Sequence, residues 1–143
     1  MTVLAGTATV IDRAPVAVML RTCRDELGEI QRLWPEFEEL VGLRGRKMYA
    51  IVDVAAGTYA TCTPLHPDDD PASLSLSLGE LPGGRFRRGR LRGEPPSVYG
   101  LIAAGVDELM AAGPVDADRP LVEFYKRHDE IELWVPIPAG QSR

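Results

Sequence analysis

Two successive stretches of this chain carry the same order of secondary-structure signals: a strand, an amphipathic helix and a β-hairpin. Strands are predicted where β-branched and apolar residues cluster, and helices where apolar residues recur every three or four positions. In the first stretch these elements are predicted at 9–22, with a break at Ala14-Pro15, and at 25–42, 47–53 and 58–64. In the second stretch they are predicted at 84–92, 97–112, 120–126 and 131–136. The chain is therefore expected to fold as two similar halves that share one sheet.

The two stretches can be aligned residue by residue. Ala50 falls on Glu123, and a hairpin turn one residue shorter in the second copy brings Pro64 onto Pro136. This alignment predicts one domain over 1–143, with one repeat at about 8–65 and another at about 82–137. The expected fold is α+β, with an antiparallel sheet, two helices on one side and a ligand groove on the pseudo-twofold axis.

Composition and charge narrow the classes of partner. The chain is 45% hydrophobic and 26% charged, as folded proteins are, and its net charge of −5 argues against nucleic acid as a partner. One segment, 85–92, is strongly basic, with arginines at 85, 87, 88 and 90 and a fifth at 92. It is either a phosphate-binding stripe or a solvated strand whose arginines pair with carboxylates, and the acidic chain favours the second interpretation.

Several other kinds of site lack a signal in the sequence. No apolar run is long enough to cross a bilayer, and the first residues do not form a signal peptide, so the protein is expected in the cytoplasm without a membrane partner. Cys23 and Cys62 stand far apart, and His66 and His128 fall in polar turns without partners at metal-ligand spacing. No metal and no cofactor are therefore predicted.

The second hairpin contains a glutamate in the middle of a strand. If Lys126 pairs with Ile131 across the turn, Glu123 pairs with Trp134, and alternation divides the side chains between two faces. The face expected against the helices carries Val122, Phe124, Ile131, Leu133 and Val135. The other face carries Glu123, Tyr125, Glu132 and Trp134. Aromatic rings beside a carboxylate attract lipophilic cations, although such a face can also be an ordinary solvent-exposed surface.

Five motifs occur in a characteristic order along the chain. They are RLWPEF in the first helix, LPGGRF at 81–86, Arg92-Gly93, RPLVEFY at 119–125 and IELWVPI at 131–137. Together they resemble the GyrI-like small-molecule-binding domain, the effector-binding module of multidrug-responsive transcription regulators. The resemblance extends from about Ala8 to Ile137. It implies that Glu123, the glutamate of the EFY motif, lies in an aromatic-lined pocket.

The pattern and the resemblance together define a set of candidate site residues. The predicted ligand-binding residues are Glu123, Tyr125, Trp134, Trp34, Tyr99, Tyr49 and Phe37. For Trp34, on the apolar stripe of the first helix, a core position is the alternative. Tyr49 and Tyr59 of the first hairpin are divided between packing and pocket.

Three functions fit this set of residues. The leading one is a bacterial drug-binding protein that captures amphipathic, cationic or aromatic compounds, as a sink or as a sensor with a separate regulator protein. The second is a hydrolase of strained-ring electrophiles, in which Glu123 activates water and Tyr125 donates to the leaving oxygen. The third, gyrase modulation, rests on the family name.

Overall fold

The computed structural model describes residues 2–140, which form one antiparallel sheet and two α-helices. The strands are β1 (Thr9–Arg13), β2 (Val16–Arg24), β3 (Met48–Asp53), β4 (Thr58–Pro64), β5 (Ser77–Leu81), β6 (Gly84–Arg92), β7 (Leu121–Arg127) and β8 (Glu130–Pro136). The helices are α1 (Leu27–Val41) and α2 (Ile102–Ala111), and short 3-10 turns stand at Pro71–Leu74 and Ser97–Leu101. The α+β class predicted from the sequence is confirmed.

The sheet is a curled half-barrel with strand order β1-β6-β8-β7-β3-β4-β2-β5. This order is symmetric when each strand is exchanged with its counterpart in the other half, for example β3 with β7. The two central strands, β3 and β7, pair with Ala50 directly opposite Glu123. The outer strands are exchanged between the halves, because β1 pairs with β6 and β5 pairs with β2. Two similar halves thus share one sheet, as the repeat predicts.

The predicted elements differ from the observed ones in three places. Residues 9–22, predicted as a strand broken at Ala14-Pro15, form two separate strands, β1 and β2, which pair with β6 and β4 in opposite halves of the sheet. The break falls at Ala14-Pro15, since a proline has no N–H for the ladder. β5 is absent from the predicted set, and the helix predicted at 97–112 begins as a 3-10 turn.

Both helices cover the same side of the sheet. α1 packs mainly on β2 and β4 and reaches Ala50 of β3 through Leu33, and α2 packs on β6 and β8, so that the groove between the helices runs along β3 and β7. Leu33 and Phe37 are the buried residues of α1, and the helix ends at Gly42, whose φ of 74° is a conformation that glycine adopts readily. The groove therefore lies over the Ala50–Glu123 pair on the pseudo-twofold axis.

The register of the second hairpin differs from the prediction by one residue. Next to the turn, Arg127 pairs with Glu130, as the predicted register requires, but a β-bulge follows between Phe124 and Arg127. Beyond the bulge Glu123 pairs with Leu133, and Trp134 pairs with Val122. The prediction that Glu123 pairs with Trp134 is therefore wrong. A shift of one residue moves every side chain of a strand to the other face.

The two faces of the sheet consequently differ from the predicted ones. Glu123 lies on the convex face, which the helices cover, together with Leu133 and Ala50. The concave face holds an aromatic core around Trp134, which is only 1% exposed and packs against Tyr49, Phe86 and Phe124. The guanidinium of Arg13 lies 4.6 Å from the centre of the Trp134 ring. Trp134 is thus part of a core and does not adjoin Glu123.

The links β1–β2 and β5–β6 meet at one end of the concave core. A Cβ added to Gly83 would lie 2.6 Å from the Pro15 nitrogen and 2.9 Å from the Arg13 carbonyl oxygen. Both are backbone atoms that cannot move without displacing a strand. We therefore expect Gly83→Ala to lower the free energy of unfolding by about 1–3 kcal/mol, as overpacking does.

Gly28 in α1 provides the matched control. An added Cβ there meets no described atom within 4 Å, so Gly28→Ala should raise stability by about 0.5–1 kcal/mol through helix propensity. Urea denaturation of both variants measures the two effects. Equal stability of the two variants would contradict the close contact at Gly83.

Candidate functional site

Glu123 lies at the centre of the groove and is largely removed from solvent. It is only 8% exposed and stands on the face that the two helices cover. Its Oε1 atom accepts hydrogen bonds from the Tyr125 hydroxyl at 2.6 Å and from the Tyr59 hydroxyl at 2.9 Å. Within residues 2–140 neither of these bonds involves the second oxygen, Oε2. The fully buried side-chain atoms of this range without a partner are Thr61 Oγ1 and Glu130 Oε2. One carboxylate oxygen is therefore held by two tyrosines, and the other has no hydrogen bond within the described residues.

A tryptophan from α1 completes the network. Trp34 Nε1 donates to the Tyr59 hydroxyl at 2.9 Å, so that Tyr59 can direct its own proton to Glu123. The Trp34 ring lies 4.9 Å from the Tyr125 ring at 66°, an edge-to-face contact. The carboxylate is thus positioned by side chains from α1, β4 and β7.

The remaining aromatic residues of the groove differ in exposure. Tyr99, in the 3-10 turn before α2, is 48% exposed, and its ring lies 6.3 Å from that of Tyr125. Phe37 is fully buried, lies 6.5 Å from Trp34 and packs with Met19 and Met48. Tyr99 therefore forms a wall at the mouth of the groove, whereas Phe37 supports Trp34 from the core.

Burial and the tyrosine hydrogen bonds shift the pKa of Glu123 in opposite directions. Burial raises the pKa of the carboxyl above its ordinary value, as expected for a glutamate among aromatics, while the hydrogen bonds from Tyr125 and Tyr59 lower the pKa and Asp25 raises it further. Burial, followed by the charge of Glu123, raises the pKa of both Tyr59 and Tyr125. The two tyrosines therefore remain protonated and act as hydrogen-bond donors.

This pKa shift predicts a dependence of stability on pH. Because the pKa of Glu123 is higher in the folded state than its ordinary 4.5, the folded state binds the proton more strongly than the unfolded state. The stabilisation is complete below 4.5 and is lost as the pH rises through the folded pKa. We expect Glu123→Gln to gain stability relative to wild type between pH 4 and pH 8, as measured by urea denaturation. A difference that does not change with pH would contradict the shift.

The structure brings some of the predicted site residues together and separates others. Glu123, Tyr125, Trp34 and Tyr99 meet in the groove. Trp134 and Tyr49 lie on the concave face, where Tyr49 stacks on Phe124 at 4.4 Å. Trp134 lies on the concave face because the bulge in β7 shifts its pairing partner. Tyr49 lies there because it pairs with Phe124, one residue away from the Ala50–Glu123 pair.

Tyr59 is the site residue that the predicted set omits. It pairs with Val52 across the β3–β4 hairpin and lies on the same face as Ala50, since both residues face the helices. The register of that hairpin, combined with the alignment of Ala50 with Glu123, contains the signal that could have found it.

The arginines of β6 contact groups of the same chain. Arg85 pairs with Asp12 at 2.9 Å, Arg92 lies 3.6 Å from Glu130, and Arg87 donates to the Leu109 carbonyl at 2.9 Å. These contacts agree with the interpretation of the segment as a paired surface, and the absence of a nucleic-acid partner stays a prediction. Neither helix within residues 2–140 is long and apolar enough to cross a membrane.

Known proteins relate to this chain through structure. No protein-family model matches the sequence, and no curated protein matches it. An integron cassette protein from the mobile metagenome of Vibrio cholerae shares the fold with a TM-score of 0.73 and 17% identity, over 92% of this chain and 95% of that one. At these identities the likeness concerns the fold alone.

Two further solved structures share the fold and differ in their described roles. SAV2435, solved bound to tetraphenylphosphonium, matches with a TM-score of 0.59 and 17% identity, over 93% of this chain and 94% of that one. A hydrolase from Listeria innocua matches with a TM-score of 0.57 and 10% identity, over 92% and 91% of the two chains. The fold therefore serves more than one function, and the function of this chain has to be argued from its own site.

Proposed function

We propose that this protein binds amphipathic aromatic cations in the groove between α1 and α2. The observation that carries the proposal is the buried carboxylate of Glu123 among Trp34, Tyr59 and Tyr125. An ionised carboxylate is costly to bury, and a cation bound beside it offsets that cost. Oε2, the oxygen that the tyrosines do not hold, is the atom that such a cation would approach.

The walls of the groove favour a cation that carries aromatic rings. The rings of Trp34 and Tyr99 both lie near that of Tyr125, at 4.9 Å and 6.3 Å, and cation–π contact with desolvated rings contributes up to about 2 kcal/mol. The shared fold of SAV2435, which was solved with the lipophilic cation tetraphenylphosphonium, supports this ligand class. A compound of this kind would be held by charge at one point and by ring contacts elsewhere.

Calorimetric titration with a charged and a neutral compound of similar shape tests the proposal. Tetraphenylphosphonium should bind more tightly at pH 8 than at pH 5, because Glu123 is ionised to a greater extent at the higher pH. Triphenylmethanol, which is neutral, should show little dependence on pH. Equal affinities for the two compounds at both values would contradict the proposal.

Hydrolysis of strained-ring electrophiles is the second candidate, favoured by the Tyr125–Glu123 contact and by the hydrolase that shares the fold. In that reaction Glu123 would take a proton from water, and Tyr125 would donate one to the leaving oxygen. We rank binding first because it requires only the contacts described above, whereas turnover also requires a proton from Tyr125, whose pKa is raised by burial. Ring opening that is slowed strongly by Tyr125→Phe would reverse this order.

The biological use of such a binding site follows from its ligand class. A protein that captures lipophilic cations can lower the free concentration of a toxic compound, or it can report the compound to a separate regulator protein. We propose the first role, as part of bacterial drug resistance, because capture requires only the site itself. A change in expression of other genes that depends on Glu123 would point to the second role.

A further inference from the structure

Tyr125 occupies the central space of the groove in the manner of a ligand. Its ring makes edge-to-face contacts with the rings of both Trp34 and Tyr99, at centroid distances of 4.9 Å and 6.3 Å. Its hydroxyl donates to Glu123 at 2.6 Å, the shortest hydrogen bond of the network. One side chain of the protein thus makes both kinds of contact that an aromatic cation would make: ring against ring, and a positive dipole against the carboxylate.

The backbone at Tyr125 is less constrained than that of the rest of β7. Tyr125 pairs with Met48 on β3, but on the other side it lies inside the bulge between Phe124 and Arg127. A bulge leaves its extra residue without a ladder partner, so this part of the strand is held on one edge only. Tyr125 is also only partly buried, although its neighbour Glu123 is buried.

Glu123 has a second hydrogen-bond donor besides Tyr125. Tyr59 donates to Glu123 independently, and Tyr59 is itself 3% exposed and fixed by the bond from Trp34. Displacement of Tyr125 would free one hydrogen-bonding position on Glu123 Oε1 and a ring-sized space beside Trp34. The carboxylate would keep one donor and its orientation.

We infer that Tyr125 is an internal surrogate ligand that a bound compound must displace, and that it thereby determines the specificity of the groove. This inference rests on the proposed function. A compound that replaces Tyr125 has to supply a ring that contacts Trp34 and Tyr99 and a positive group near Glu123. The preferred class is therefore cations with an aryl group attached at or near the charged atom, and purely alkyl cations are disfavoured.

Displacement of the Tyr125 ring before binding would limit the rate at which a ligand enters. If the ring has to leave before a ligand enters, the observed binding rate should reach a plateau at high ligand concentration, set by the rate of ring displacement. Removal of the ring should abolish the plateau and leave a rate that rises linearly with concentration. Affinity should rise as well, because the competing internal contact is gone.

The experiment compares two cations of the same charge by stopped-flow fluorescence and calorimetry. Tetraphenylphosphonium carries aryl groups, and tetrabutylphosphonium carries alkyl groups of similar extent. We expect wild type to prefer the aryl cation by roughly tenfold or more and to show a plateau. Tyr125→Ala should bind both cations more tightly, reduce the preference and show no plateau.

Two further variants keep the test decisive. Tyr99→Ala removes a wall that has no bond to Glu123, and it should weaken the aryl cation while the plateau persists. Tyr125→Phe keeps the ring but loses the bond to Glu123, so the plateau rate should rise by roughly tenfold, the scale of a charge-assisted hydrogen bond. This variant decides the question if Tyr125→Ala does not fold.

The failure of the inference can be separated from the failure of the proposed function. If neither cation binds wild type or any variant, the proposed function fails. If Glu123→Gln weakens tetraphenylphosphonium but Tyr125→Ala weakens it too, and Tyr125→Phe leaves the kinetics unchanged, the groove binds cations and Tyr125 is simply one of its walls. That second result would overturn the inference alone.

Discussion

Glu123→Gln is expected to weaken the binding of tetraphenylphosphonium by about 1–3 kcal/mol, a loss of roughly 5- to 150-fold. The substitution keeps the size of the side chain and an oxygen that can accept from Tyr59 and Tyr125, but it removes the charge. The effect should be large because Glu123 is 8% exposed, so little solvent screens the attraction. Neutral triphenylmethanol should lose almost no affinity.

The control for this experiment is the same substitution at a glutamate outside the groove. Glu39 lies exposed on α1, so that Glu39→Gln changes the net charge equally without altering the groove. Its effect on the affinity should stay within a few tenths of a kcal/mol, and salt should reduce that effect. If both variants lose the same affinity, general attraction of cations to an acidic protein explains the binding, and the role of Glu123 is wrong.

Trp134→Ala is expected to lower the free energy of unfolding by about 3–5 kcal/mol. The side chain is 1% exposed in the concave core, packs on Tyr49 and Phe86, and donates from Nε1 to Glu132 at 3.0 Å. Its removal leaves a cavity and a buried carboxylate without one of its donors. The loss is a large part of the stability of a single domain, which is typically about 5–15 kcal/mol.

The two tryptophans of the chain make a matched pair for this prediction. Trp34→Phe should alter ligand binding, since Trp34 contacts both Tyr59 and Tyr125 in the groove, whereas Trp134→Phe should alter stability and leave the affinity of the folded protein unchanged. Urea denaturation and calorimetric titration of both variants separate the two effects. A loss of ligand affinity in folded Trp134→Phe would show that the concave core communicates with the groove.

The features that sequence predicts well here are those determined by local patterns. The spacing of apolar residues in α1 and the stop at Gly42 depend on nearby residues, and both are observed. The alignment of Ala50 with Glu123 depends on comparing two local patterns, and the two residues do pair at the centre of the sheet. The alternation along β7 predicts that Glu123 and Tyr125 share a face, but it assigns that face to the side away from the helices, whereas the observed register puts Glu123 on the side that the helices cover.

The features that sequence does not reveal depend on contacts between distant segments. The bulge in β7 arises from the pairing of β7 with β8, and no residue type between Phe124 and Arg127 predicts it. It nevertheless decides which face of the sheet Trp134 occupies. The separation of β1 from β2 is of the same kind: Pro15 shows where the strand breaks, but the partners of the two pieces lie in the other parts of the chain.

The exchange of outer strands between the halves bears on why the groove on the pseudo-twofold axis can hold a single charged residue. A half chain on its own would leave strand edges unpaired, and it could complete its sheet only by pairing with an identical copy. In such a homodimer the two residues at the axis would be the same, and two glutamates would face each other at a Cα separation of about 5 Å and repel. Covalent joining of the halves removes this constraint, because the two axial positions are then encoded by separate codons and can hold different residues. Ala50 can then be small while Glu123 is acidic, and the groove holds one charge with a defined direction.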